Sequence, residues 1–136
     1  MNFSVDEQEL YKVVDYINKQ IKDKNIVVLL KGDLASGKTT LVKHIVKSLG
    51  FSDDVTSPTF AIQSIYSDTI FHYDIYNKKL SDFISLGLLE EFEKNGIHFV
   101  EWADKKLESI LKEYGFDILK VDITKLEDKR EYNIEA

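Results

Sequence analysis

The run Gly32-Asp-Leu-Ala-Ser-Gly-Lys-Thr39 constrains this chain more than any other, because it matches the phosphate-loop pattern GxxxxGK[ST] in full. Such a loop needs a strand before it and a helix after it. The backbone N–H groups of the loop and of the first helical turn together hold anionic oxygens. Both flanks are present. Asn25-Ile-Val-Val-Leu-Leu-Lys31 is apolar and β-branched, the pattern of a strand buried on both faces. Thr40-Leu-Val-Lys-His-Ile-Val-Lys-Ser-Leu49 sets Leu41, Ile45 and Leu49 on one helical face, and Gly50 follows as a stop. The expected phosphate cradle is therefore Gly32, Asp33, Leu34, Ala35, Ser36, Gly37, Lys38, Thr39 and Thr40. Lys38 is expected to reach the β- and γ-phosphates, and the Thr39 hydroxyl to bind Mg²⁺.

The remaining periodicities fit a sheet with helices on it. Val5 to Lys24 reads as one amphipathic helix with Leu10, Val13, Val14, Ile17 and Ile21 on its apolar stripe. Ser4 is its expected N-cap, with Ser4-Val-Asp-Glu7 at capping-box spacing. After a Ser- and Asp-rich connection from Phe51 to Ser57, the segments Thr59–Tyr66 and Ile70–Tyr76 read as strands. The short turn Ser67-Asp-Thr69 between them implies an antiparallel pair. Ser81 to Asn95 is helical in pattern but broken near Gly87. Ile97 to Trp102 is β-like, and Ala103 to Glu113 is helical through Leu107, Ile110 and Leu111. Phe116–Thr124 and Arg130–Glu135 form a terminal hairpin. With 136 residues, the expectation is one α/β P-loop NTPase domain over 1–136. It has three layers, a mixed parallel/antiparallel sheet and a C-terminal β-hairpin.

Composition narrows the chemistry. No cysteine is present, which removes thiolate catalysis, disulfides and Cys-based zinc sites. No stretch approaches a membrane span, and Met1-Asn-Phe-Ser-Val-Asp-Glu7 lacks a basic and apolar signal, so a cytoplasmic protein with no membrane partner is expected. A net charge of −6 argues against direct binding of a nucleic-acid backbone. Arg130 is the single arginine, whereas phosphoryl-transfer enzymes commonly clamp phosphates with several.

A phosphate loop also needs an acid for Mg²⁺, at the C-terminal end of a neighbouring apolar strand. Glu101 ends Ile97-His-Phe-Val100, and Asp74 sits in Phe71-His-Tyr-Asp-Ile-Tyr76, so either fits. One acid can hold the metal while the other orients or deprotonates the attacking water. In Thr56-Ser-Pro-Thr-Phe60, hydroxyls ahead of a strand could contact the γ-phosphate or Mg²⁺, or simply form a Ser-Pro turn. Trp102 follows Glu101 and reads by default as core. His44, His72 and His98 lack metal-ligand spacing, and Lys105-Lys106 reads as a solvated helix face.

Taken in this order, Gly32–Thr40, Thr56-Ser-Pro-Thr-Phe60, His72-Tyr-Asp-Ile-Tyr76 and Val100-Glu-Trp-Ala-Asp104 resemble the TsaE family, the small ATPases of bacterial tRNA threonylcarbamoyladenosine biosynthesis. The resemblance spans most of the chain. It implies that ATP and Mg²⁺ are the cofactors, that Thr39 and Glu101 bind the metal, and that Asp74 is needed for hydrolysis. It also implies that Thr56, Ser57 and Thr59 form a switch-like segment and that Trp102 lies at the functional face. The resemblance further implies that Glu7 falls in a region that approaches the nucleotide. The family works with a TsaB–TsaD heterodimer, touches tRNA through that complex, and does not itself transfer the threonylcarbamoyl group to adenosine 37 of tRNAs reading codons that begin with A. Two positions depart from the family pattern: Ala35-Ser36 stands where Gly-Ala is common, and Asn77 where an arginine is common.

The runner-up is a small-molecule or nucleotide kinase, which requires an acceptor pocket and commonly an arginine-bearing lid; Arg130 in a terminal hairpin is thin support for one. A nucleotide-dependent binding module without useful hydrolysis is a third reading. A GTPase fits less well, because Thr124-Lys-Leu-Glu127 has Glu where guanine readers carry Asp.

Overall fold

A computed structural model describes residues 1–33, 36–52, 63–76 and 87–136. Its centre is β2 (Ile26–Lys31), whose alternate residues are buried on opposite faces. Val28 and Leu30 join one apolar cluster, and Val27 and Leu29 join the other. A strand with no polar face needs layers on both sides, and helices supply them. α1 (Leu10–Ile21) and α2 (Lys38–Ser48) cover the first face, through Val13, Ile17, Leu41 and Ile45. α3 (Leu88–Glu91) and α4 (Lys105–Glu113) lie on the second side, where Leu107, Leu111 and Phe92 pack with Tyr73 and Val100.

The other strands are β1 (Asn2–Val5), β3 (Gln63–Tyr66), β4 (Ile70–Asp74), β5 (Ile97–Glu101), β6 (Ile118–Lys125) and β7 (Arg130–Glu135). Among the described residues they form one sheet in the order β1-β7-β6-β2-β5-β4-β3. The inner four strands β6, β2, β5 and β4 are parallel, and β7, β1 and β3 join antiparallel at the two edges. The expected mixed three-layer α/β architecture and terminal hairpin are thus both present. All four parallel strands end at one edge of the sheet, which is where ligands bind in open α/β folds.

Three local expectations are corrected. Val5–Lys24 is not one helix: Asn2–Val5 is a strand paired with β7, Glu7–Glu9 is a 3-10 turn, and α1 starts at Leu10. The cap is Asp6 rather than Ser4. Its carboxylate accepts from the Glu9 N–H at 2.9 Å, and the Glu9 carboxylate answers to the Asp6 N–H. The apolar stripe of α2 is Leu41, Val42, Ile45 and Val46, while Leu49 is 38% exposed because the helix ends at Ser48. No helix among the described residues is long and apolar enough to cross a membrane.

Candidate nucleotide site

The loop follows β2 directly, and Gly37, at φ +110°, turns the chain into α2. Lys38, the first residue of α2, folds back over the loop. Its Nζ donates to the carbonyls of Gly32 at 2.7 Å and Asp33 at 2.9 Å, and lies 3.4 Å from Ser36 Oγ. The ammonium also sits 4.1 Å from the centre of the Trp102 ring. Burial pulls its pKa below the usual lysine range, opposed by the charges of Glu101, Asp74 and Asp33.

The two candidate acids are brought together by register. β4 and β5 run parallel with Asp74 opposite Glu101, and Glu101 also sits opposite Leu30, near the end of the loop strand. Neighbouring strands are about 4.8 Å apart, so the two carboxylates share one edge and one face of the sheet. The Thr39 hydroxyl donates to Glu101 Oε2 at 2.8 Å. Glu101 is 3% exposed, and its Oε2 has a second partner: His72 Nε2 lies 2.5 Å from the same oxygen, and His72 Nδ1 is 3.0 Å from the Tyr66 hydroxyl. Asp74 is half-buried, and its Oδ1 accepts from the Tyr76 N–H at 3.0 Å.

A hydroxyl and a carboxylate 2.8 Å apart are hard oxygen donors suited to Mg²⁺. No group of three or more His, Cys, Asp or Glu residues that could hold a metal alone occurs among the described residues. A two-donor site fits an ion that also takes waters and phosphate oxygens.

Trp102 is not core. It is half-buried at φ +66°, a left-handed conformation that costs a non-glycine residue about 1–3 kcal/mol. Its N–H donates to the Leu30 carbonyl at 3.1 Å, and its ring meets Tyr76 at 4.7 Å between centroids. The turn out of β5 is what lays the indole over Lys38.

The sheet order also relocates the arginine. Arg130 opens β7 opposite Lys125 at the end of β6, so it lies at the same edge as the loop. A Cβ added to Gly37 would meet Arg130 Nε at 3.3 Å, and that Nε is buried with no hydrogen-bond partner. Beside it is a cavity of about 350 Å³ lined by residues that include Glu7, Gly37, Thr40, Arg130 and Tyr132. Arg130 is the site residue that sequence reasoning placed too far away.

Among the expected residues, Gly32, Asp33, Ser36, Gly37, Lys38, Thr39, Asp74 and Glu101 gather at one place, with Thr40 and Glu7 on the adjoining cavity. Leu34, Ala35, Thr56, Ser57, Thr59 and Asn77 lie outside the described residues. His44, Lys105 and Lys106 are exposed and away from these contacts.

Comparison with known proteins bears on the same residues. The family model described as "Threonylcarbamoyl adenosine biosynthesis protein TsaE" matches residues 4–132. A Treponema pallidum protein named tRNA threonylcarbamoyladenosine biosynthesis protein TsaE is 36% identical over 102 residues, covering 73% of this chain and 75% of that one. Proteins of the same name from Bacillus subtilis and Haemophilus influenzae are 34% and 35% identical. They cover 77% and 91% of this chain, and 73% and 77% of their own. The crystal structure of Bacillus subtilis YdiB superposes with a TM-score of 0.69 at 26% identity, covering 98% of this chain and 83% of that one.

Proposed function

This chain belongs to the TsaE family, and from that premise we propose that it is a Mg²⁺-dependent ATPase that supports formation of threonylcarbamoyladenosine at position 37 of tRNAs reading codons that begin with A. The observation that supports this best is the Thr39 hydroxyl on the Glu101 carboxylate at 2.8 Å, at the start of the helix that follows a phosphate loop, with Asp74 in register beside it.

In this reading Thr39 and Glu101 hold Mg²⁺ together with phosphate oxygens. The ion, when bound, neutralises charge on the transferring phosphoryl group. Lys38 exchanges the Gly32 and Asp33 carbonyls for phosphate oxygens, and the N–H groups of the loop and first helical turn take the rest. Asp74 orients the attacking water and accepts its proton. The nucleoside end leaves the loop past Gly37 and Thr40 into the cavity, where the unpartnered Nε of Arg130 and the Glu7 carboxylate are available to it. Trp102 and Tyr76 screen Lys38 from solvent. The hydrolysis serves a TsaB–TsaD heterodimer in the cytoplasm, which carries the tRNA and performs the group transfer.

The test is tRNA modification reconstituted over multiple turnovers with TsaB and TsaD, with and without this chain, using wild type and Asp74→Ala. Wild type is expected to raise turnover, and Asp74→Ala to bind ATP but fail to do so. A specific phosphorylated metabolite formed from ATP by the chain alone would replace this reading with a kinase. Full support of turnover by Asp74→Ala would leave only a binding module.

A further inference from the structure

The strongest unassigned feature is a buried chain of hydrogen bonds that ends at the candidate metal site. Tyr66, His72 and Glu101 stand on three adjacent strands, β3, β4 and β5, and face the same side of the sheet. Tyr66 is 4% exposed and His72 is 0% exposed. An imidazole and a carboxylate in such a place are costly unless every polar atom is matched. Here both imidazole nitrogens and Glu101 Oε2 have partners. A carboxylate can only accept, so His72 donates to Glu101 from Nε2; in the neutral imidazole Nδ1 is then the acceptor for the Tyr66 hydroxyl.

His98, buried in the other layer, offers a comparison. It pairs with the Tyr73 hydroxyl at 2.8 Å and the Lys94 carbonyl at 2.8 Å and reaches none of the loop residues. The His72 chain instead delivers its donor to the oxygen that also takes the Thr39 hydroxyl.

We infer that Tyr66 and His72 are a positioning pair for this site: Tyr66 fixes the imidazole, and the imidazole fixes the Glu101 carboxylate against Thr39. Neither is a catalytic residue. The inference rests on the reading of Glu101 as a metal-holding group. It adds that the strength of metal binding is set from β3, two strands away from the carboxylate. Groups that orient a metal-binding side chain from behind typically account for a factor of about 10–100 in metal affinity.

The experiment measures binding of a fluorescent non-hydrolysable ATP analogue across a Mg²⁺ titration and in excess chelator, for wild type, Tyr66→Phe, His72→Phe, His72→Gln and Glu101→Gln. It also records the imidazole ¹⁵N signals of the nucleotide-free protein. His72→Phe is expected to raise the Mg²⁺ needed for half-saturation about tenfold or more, and Tyr66→Phe about threefold, with metal-free binding unchanged. His72→Gln, whose amide can donate, recovers part of the loss. The wild-type His72 carries its proton on Nε2, and Tyr66→Phe shifts the Nδ1 signal. Tyr66→Phe keeps the ring and so guards against a folding artefact. The inference is overturned if Glu101→Gln raises the Mg²⁺ requirement while Tyr66→Phe and His72→Phe do not. It is also overturned if metal-free and metal-dependent binding fall together. If Glu101→Gln changes nothing, the metal-holding reading of Glu101 fails, and the positioning pair fails with it.

Discussion

Gly32→Ala tests whether the loop is held against the sheet as tightly as the geometry requires. Gly32 lies at φ +156°, and a Cβ there would sit 2.5 Å from Ser36 Oγ and 2.7 Å from the Ile123 carbonyl oxygen. The serine hydroxyl can swing aside, though it lies 3.4 Å from Lys38 Nζ. The Ile123 carbonyl cannot, because β6 is pinned between β2 and β7. Backbone strain of about 1–3 kcal/mol and overpacking of about 1–3 kcal/mol give a midpoint near 4 kcal/mol. At about 2.1 cal/mol/K of unfolding entropy per residue, a chain of 136 residues loses about 3.5 °C of Tm per kcal/mol. The expected fall is therefore about 14 °C by calorimetry. Gly115→Ala is the control: φ is +80°, nothing lies within 4 Å of its Cβ, and only a left-handed penalty of about 1–2 kcal/mol applies. In the proposed reading Gly32→Ala should also weaken ATP binding, since a displaced Gly32 shifts the start of the loop that cradles phosphate. Equal Tm losses in the two variants would refute the close approach.

Two further outcomes follow from buried groups. Burial pushes the His98 pKa below its ordinary 6.5 in the fold, so between that lowered value and pH 6.5 the unfolded chain holds more protons and stability rises with pH. Urea midpoints should hold steady above about pH 7 and drop as pH falls below about 6.5, and His98→Gln should flatten part of that drop; an unchanged slope would sink the assignment. Lys38→Met removes the cation 4.1 Å from the single tryptophan while keeping the stem, so it should shift Trp102 emission in the same direction as Mg²⁺·ATP does in wild type. Opposite shifts would contradict a movement of Lys38 away from the ring as it exchanges the loop carbonyls for phosphate oxygens.

Strand, loop and first helix were legible because each carries a strong period and the loop pattern fixes their order. The start of the chain was not. Ser4 to Glu7 and Asp6 to Glu9 both offer a cap and a glutamate three residues on, and pairing of Asn2–Val5 with β7 decides between them. That is a contact across more than a hundred residues, with no local trace. His72 has no metal-ligand spacing in sequence, and its partner Glu101 is 29 residues away on the next strand. Trp102 read as core because aromatic residues after an apolar strand usually are; its left-handed backbone is set by the turn out of β5.

Arg130 shows most clearly what sheet order adds. In sequence it is remote from the loop, and a chain with one arginine has few guanidinium groups with which to clamp phosphates. In the fold it lies beside Gly37, so the chain brings its arginine to the edge of the phosphate loop. Arg130 borders the cavity on Gly37 and Thr40, whereas Asp74 and Glu101 act electrostatically on Lys38. An arginine at the nucleoside end favours binding, and it binds ground and transition states alike. Charge that develops where Asp74 and Glu101 converge needs a cation there, and Lys38 with Mg²⁺ supplies it in the proposed reading. In the proposed reading such a site is expected to hold ATP firmly and hydrolyse it slowly until a partner adds positive charge on the Asp74 side, and single-turnover hydrolysis with and without the partner complex measures that difference.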